Sequence, residues 1–97
     1  MNNNLGIVLD PNSFKNIKEV VKKADNYNFH SAWVTELYRS SFEQLTFIAE
    51  ITKNIKIGSA VTLAFIRSPL ITAISAMDID SLSNGRLILG LGSGAIN

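Results

Sequence analysis

The chain has 97 residues, 46% of them hydrophobic and 18% charged, which is enough for one small domain with a modest core and argues against disorder. Nine Lys/Arg against eight Asp/Glu give a formal net charge of +1, so there is no field to attract nucleic acid or an anionic membrane. With no cysteine and His30 as the one histidine, disulfides and thiolate chemistry are excluded and metal ligands are in short supply, so no metal is expected.

The start, MNNNLGIVLD, lacks the basic residues and long apolar core of a signal peptide, and no later run approaches a membrane span, so the expected location is cytoplasmic. Leu5 to Leu9 is a nearly continuous apolar run closed by Asp10-Pro11-Asn12, the pattern of a strand buried on both faces and ended by a turn. Phe14, Ile17, Val20, Val21 and Ala24 then recur at helical spacing, with Asn12 or Ser13 as the cap and Lys22 and Lys23 at the end that favours cations. HSAWVTE gives a second strand. In SSFEQLTFIAEIT, Ser40 and Glu43 have the spacing of a capping box, and Leu45, Ile48 and Ala49 form the stripe of a second helix that Asn54 can close. IKIGSAVTL reads as a third strand, with Gly58 marking a close approach to the backbone. Ser68-Pro69 opens a third helix, PLITAISAMDIDSL, whose apolar character on most sides predicts burial. Ser83-Asn84-Gly85 ends it in a left-handed cap, and Arg86 to Leu91 is the fourth strand.

This order, βαβαβαβ with short connections, demands parallel strands joined by right-handed crossovers in one α/β domain. An open doubly wound sheet and an eight-stranded barrel both use the unit, and both place ligands beyond the carboxyl ends of the strands. That rule selects Leu9-Asp10-Pro11, Thr35 to Tyr38, Ser59 to Thr62 and Gly92-Ser93-Gly94. It sends His30, Asn54 and the Ser83 to Arg86 turn to the opposite face, where conspicuous residues serve stability.

Within that set the glycines of GLGSG are compatible with a loop that approaches a flat or phosphorylated ligand, and equally with tight packing between strands. Glu36 is the best chemical candidate, a carboxylate at a strand end beside Tyr38; the alternative is an ion pair with Arg39 or Arg67. Asp10 suits a turn, Arg86 and Asp80 suit holding the helix-to-strand turn shut, and Trp33 and Phe65 read as core aromatics.

The residues AWVTELY, IAEITKNIKIGSAV, RSP and above all DSLSNGRLILGLGSG resemble the luciferase-like monooxygenases, a family of flavin- and coenzyme F420-dependent oxidoreductases. The resemblance runs from Leu5 onward and implies the first four strands of a TIM (β/α)8 barrel, an N-terminal portion whose remainder is absent from this sequence. It implies F420 or FMN as cofactor and a small organic substrate. It puts Glu36 and Tyr38 near the reacting centre, where many members carry a histidine in place of Leu37. Ala60, Val61 and Thr62 would meet the ring, with a cis peptide bond at Ala60-Val61, and Gly92 and Gly94 would line the pocket wall. The family's phosphate contacts lie mostly beyond the fourth strand. A partial barrel leaves open strand edges, so a homo-oligomer or association with the missing half is expected, and a non-catalytic partial barrel that acts by assembly is the rival reading. A small nucleotide-binding doubly wound domain is a third; it requires the strand order to reverse across the first strand.

Overall fold

In a computed structural model, which describes residues 4–94, the chain forms β1 (Gly6–Val8), α1 (Phe14–Asn26), β2 (Ser31–Val34), α2 (Ser41–Ile51), β3 (Lys56–Ser59), β4 (Thr62–Leu63), α3 (Pro69–Leu82), β5 (Leu87–Ile88) and β6 (Leu91–Gly92). Strands β1, β2, β3 and β5 make a parallel sheet in sequence order, and β4 pairs with β6 in a parallel two-stranded extension. Among the described residues no strand inserts out of order, as a doubly wound sheet would require.

Alternation of side chains splits the sheet into two faces. The register row Ile7, Ala32, Ile57 and Leu87 turns to the helices, where Ile17, Val21, Leu45, Ile48 and Ile79 complete the core. The next row, Val8, Trp33, Gly58 and Ile88, turns the other way, with Val8 and Ile88 exposed. The apolar run of β1 is therefore buried on one face and open on the other, which corrects the expectation of a strand covered on both. Gly58 has the close neighbour anticipated for it: an added Cβ would stand 2.6 Å from Trp33 Cζ3 and 2.8 Å from the Ile88 carbonyl oxygen. Trp33 is half-buried across this row, and its Nε1 donates to Ser31 Oγ at 2.9 Å.

The helices show which sequence signals carry through. Ser13, rather than Asn12, caps α1 by accepting from Asn16 N at 3.1 Å, and Ser68 caps α3 by accepting from Ile71 N at 3.1 Å, with Pro69 in its first turn. Asn84 (φ 58°) and Gly85 (φ 79°) form the left-handed end of α3. Ser40 stands at the N-cap of α2 without making the side-chain cap bond, so the capping box does not form there. Thr52, not Asn54, occupies the C-cap of α2, its hydroxyl donating to Ile48 O at 2.7 Å. Helix α3 buries only Thr72 and Ile79 and leaves Leu70, Ile71, Ile74, Met77 and Leu82 exposed, against the burial its composition predicts. Phe65 is 84% exposed rather than part of the core.

The amino ends of the strands are locked by two charged side chains. Asp25, at the end of α1, accepts from the amides of Lys53, Asn54 and Ile55 at 2.8 to 3.0 Å. Arg86 donates its five N–H groups to Ser83 O, Thr52 Oγ1, Ile55 O, Ala49 O and Thr52 O, which satisfies the carbonyls left free at the end of α2. Arg86 thus holds the turn, the role its position indicates. Among the described residues no helix is long and apolar enough to cross a membrane.

Candidate functional site

At the carboxyl ends of the strands the third and fourth sequence-predicted strands each break in two. The break after Ser59 is a cis peptide bond between Ala60 and Val61, at the position the resemblance indicates. The chain resumes as β4, where Thr62 N and Ala64 N donate to Gly90 O and Gly92 O at 2.7 and 2.8 Å, and Ala60 N donates back to Val34 O at 2.8 Å. The segment from Ser59 to Ala64 is therefore pinned by backbone bonds on both sides.

Gly90, Gly92 and Gly94 run along this segment at every second residue. An added Cβ on Gly90 would collide with the Ser59 carbonyl oxygen, one on Gly92 would stand 2.7 Å from Val61 Cγ2, and one on Gly94 would stand 2.8 Å from Leu63 Cδ2. Each glycine thus admits one residue of the facing chain. Of the two meanings the glycine run allowed, the structure displays close strand packing.

Glu36 follows β2 and is nearly buried. Its Oε1 accepts from Leu63 N at 2.7 Å and Arg67 Nη1 at 2.9 Å; its Oε2 accepts from Ser41 N at 2.8 Å, Ser41 Oγ at 2.9 Å and Arg67 Nη2 at 2.5 Å. The carboxylate takes the first amide of α2, that of Ser41, and Ser40 Oγ accepts from Arg67 Nη2 at 3.2 Å. Burial alone would raise the pKa of Glu36, but the Arg67 guanidinium and the Leu63 and Ser41 donors outweigh it and hold the group at about 2. Arg67 is correspondingly raised by its bond to Glu36, and its guanidinium lies 4.7 Å from the Phe42 ring centroid. Of the partners open to Glu36, Arg67 is the one found. Arg39 donates instead to Pro11 O and Asn12 O at 2.8 and 3.1 Å and lies 4.8 Å from the Phe14 ring centroid.

A row of hydroxyls extends from the carboxylate beneath the break. Ser41 Oγ lies 2.9 Å from Thr62 Oγ1, which lies 2.8 Å from Ser59 Oγ, and Ser59 Oγ is 3.2 Å from Gly90 N. Sequence reasoning placed Ser59 among the strand-end residues but missed Ser41 and the hydroxyl row that joins the two; serine at a helix start was the available signal. Thr62, expected at a cofactor ring, is 0% exposed and belongs to this row, so its side chain offers no surface to a ligand.

Thr35, Glu36, Leu37, Ala60, Val61, Leu63, Ser93 and Gly94 line an open cleft of about 430 Å³. Tyr38, highly exposed, lines an adjoining cleft of about 470 Å³ with Asp10, Asn12 and Arg39, and the two clefts share Thr35 and Leu37. Of the predicted site residues, Glu36, Ala60, Val61 and Gly94 are brought together in one cleft, Tyr38 stands beside it, and Gly92 packs against Val61 behind it. No group of three or more His, Cys, Asp or Glu side chains suited to a metal ion occurs among the described residues.

The family model for luciferase-like monooxygenases matches residues 2–97. The chain belongs to this family. Among curated relatives of this luciferase-like chain, the 5,10-methylenetetrahydromethanopterin reductase of Methanopyrus kandleri is 39% identical over 80 residues, covering 80% of this chain and 23% of that protein. The reductase of the same description from Archaeoglobus fulgidus is 38% identical over 76 residues, covering 76% and 23%. The chain thus spans about a quarter of the length of these relatives. The solved coenzyme F420-dependent tetrahydromethanopterin reductase of M. kandleri superposes with a TM-score of 0.87 at 36% identity, over 98% of this chain and 28% of that one. The oxygenating constituent of 3,6-diketocamphane monooxygenase from Pseudomonas putida, solved with FMN, shares the fold, with a TM-score of 0.83 at 21% identity over 96% and 30% of the two chains. The parallel sheet is accordingly the four-stranded opening of a luciferase-like TIM barrel.

Proposed function

We propose that this chain is the N-terminal portion of a coenzyme F420-dependent oxidoreductase acting on a small organic substrate, with FMN as the alternative cofactor. The observation that carries the choice is the 36% identity to a solved reductase described as F420-dependent, maintained over 98% of the chain, whereas the FMN-bound neighbour supports the fold alone. The cleft fits a flat ring: its wall is backbone and small aliphatic side chains at Ala60, Val61 and Gly94, with Leu37 and Leu63 beside them. The cofactor would supply hydride transfer. Ala60 and Val61 would hold the ring face, and Gly94 would let the wall come close. Tyr38, on the exposed rim, would contact substrate.

Glu36 has a different part in this reading. Both of its oxygens are engaged by donors and its pKa of about 2 keeps it ionised, so it serves to position the cleft wall and is not poised to transfer a proton. The relatives' greater length supports the view that the remaining barrel strands and the phosphate contacts belong to a longer parent protein.

Two measurements test the proposal. The intact mass of the protein made in its own cells should be several times the 10.6 kDa of this chain; a mass equal to it overturns the portion reading and leaves the assembly-dependent, non-catalytic partial barrel. Fluorescence titration of that cellular form with F420 and with FMN should give saturable F420 binding. Saturation by FMN alone moves the assignment to a flavin enzyme, and binding of neither removes the oxidoreductase reading.

A further inference from the structure

The turn from α3 into β5 puts Asn84, the one asparagine of the sequence that is followed by glycine, on the surface. In such a pair the next backbone nitrogen can attack the side-chain carboxamide, because glycine has no side chain to crowd the cyclic imide that forms. The space for it is open. Asn84 and Gly85 are both exposed, and an added Cβ on Gly85 would meet nothing within 4 Å.

The attacking nitrogen, however, is occupied. Gly85 N donates to Asp80 O at 2.7 Å, and Asn84 N donates to Ser81 O at 3.1 Å. Ser83 Oγ donates to the same Asp80 oxygen at 3.2 Å and accepts from Arg86 N at 3.2 Å, while Ser83 O accepts from Arg86 Nε at 2.6 Å. The reactive pair thus lies between the two residues, Ser83 and Arg86, whose bonds to each other seat the guanidinium that closes the amino ends of the strands.

We propose that Asn84-Gly85 is a site of spontaneous deamidation that its own turn holds shut, and that reaction there releases Arg86. Gly85 N forms a bond to Asn84 Cγ, the Cγ–Nδ2 bond breaks, and the side-chain nitrogen leaves as ammonia with the proton of the Gly85 amide. Water then opens the imide at either carbonyl, giving aspartate or isoaspartate at position 84. Nothing is oxidised or reduced. Isoaspartate carries the main chain through the former side chain and lengthens it by one methylene between Ser83 and Arg86, so the guanidinium loses its alignment with Thr52, Ile55 and Ala49. Either product adds a negative charge at the negative end of α3.

The protein in its cellular form tests this without a cofactor. Samples are kept in mildly alkaline buffer, folded or in guanidinium chloride, and the tryptic peptide from Ser68 to Arg86 is followed for loss of the amide and gain of isoaspartate. Loss should be roughly tenfold slower or more in the folded protein, because reaction waits for the turn to open. Asp80→Ala removes an exposed bond to Leu87 N and loosens the turn mildly; Ser83→Ala removes the hydroxyl bonds to Asp80 and Arg86. Both should raise the folded rate severalfold and leave the denatured rate unchanged. Equal rates in folded and denatured protein, or no isoaspartate in either, overturn the proposal. Release of Arg86 is read separately: the isoaspartyl protein should unfold at lower denaturant than Asn84→Asp, which adds the charge without lengthening the chain, and equal midpoints overturn that step.

Discussion

The two ends of the parallel sheet each carry an acid and an arginine, and the ends use them differently. At the carboxyl ends Glu36 and Arg67 bond directly, and the carboxylate also gathers the amides of Ser41 and Leu63. At the amino ends Arg86 spends its five N–H groups on a hydroxyl and four carbonyls, leaving none for Asp25, which separately gathers three amides. Burial pushes the Arg86 guanidinium down and the charge of Asp25 opposes that shift; burial pushes Asp25 up and its three amides and Arg86 more than reverse it. The lower device joins helix ends to strand starts within the core. The upper one joins a helix start to the irregular segment that walls a cleft. Where backbone is regular, neutral carbonyls suffice to hold a buried charge; where the wall departs from regular pairing, the charges meet.

The largest expected effect comes from the lower end. Arg86→Met removes five donors from carbonyl and hydroxyl groups inside the fold and should cost about 4 kcal/mol or more, read as a fall in the urea midpoint or as loss of the folded signal. Arg86→Lys keeps the charge but cannot form the same planar set of bonds, and should recover less than half of that loss.

At the upper end, Glu36→Gln leaves the Arg67 guanidinium without its carboxylate and should cost about 3 kcal/mol. If the two ends are separate devices, its effect should add to that of Asp25→Asn, while Glu36→Gln and Arg67→Met should couple strongly in a double-mutant cycle. The pH dependence gives the sign independently. Glu36 has a folded pKa of about 2 against an ordinary 4.5, so its contribution is fully present above pH 4.5 and is lost as pH falls toward 2. Asp25, also lowered, acts in the same direction. Unfolding free energy should therefore decline over that range, and Glu36→Gln should flatten the decline by roughly 3 kcal/mol.

The element order, the helix caps at Ser13 and Ser68 and the left-handed end at Asn84-Gly85 were legible because each depends on neighbours a few residues away. The misread parts depend on distant ones. Nothing local to Ser40 indicates that a carboxylate from the preceding loop will take the Ser41 amide, and nothing local to Asp25 indicates three amides about thirty residues on, although an acid at the end of a helix was a signal in opposition to the dipole. The apolar sides of α3 were read as burial because composition does not tell which side of a helix the rest of the fold covers, and here it covers only that of Thr72 and Ile79. Glycine posed the same ambiguity in GLGSG, where the spacing was plain and the facing residues Ser59, Val61 and Leu63 were not.

Two glycines separate the ends of the sheet most finely. Gly85, at the amino ends, has φ of 79° and open space around its α-carbon, so Gly85→Ala should cost about 1 kcal/mol through backbone conformation alone. Gly92, at the carboxyl ends, is limited by contact: a Cβ there would stand 2.7 Å from Val61 Cγ2. Gly92→Ala should cost a similar amount, about 1 kcal/mol, by overpacking. The distinction lies in the rescue. Val61→Ala removes the obstructing methyl groups and should make Gly92→Ala nearly neutral in that background, while leaving the cost of Gly85→Ala unchanged. If Val61→Ala gives no relief, the glycine run is not fitted to the segment it faces, and its spacing requires the ligand-contact explanation instead.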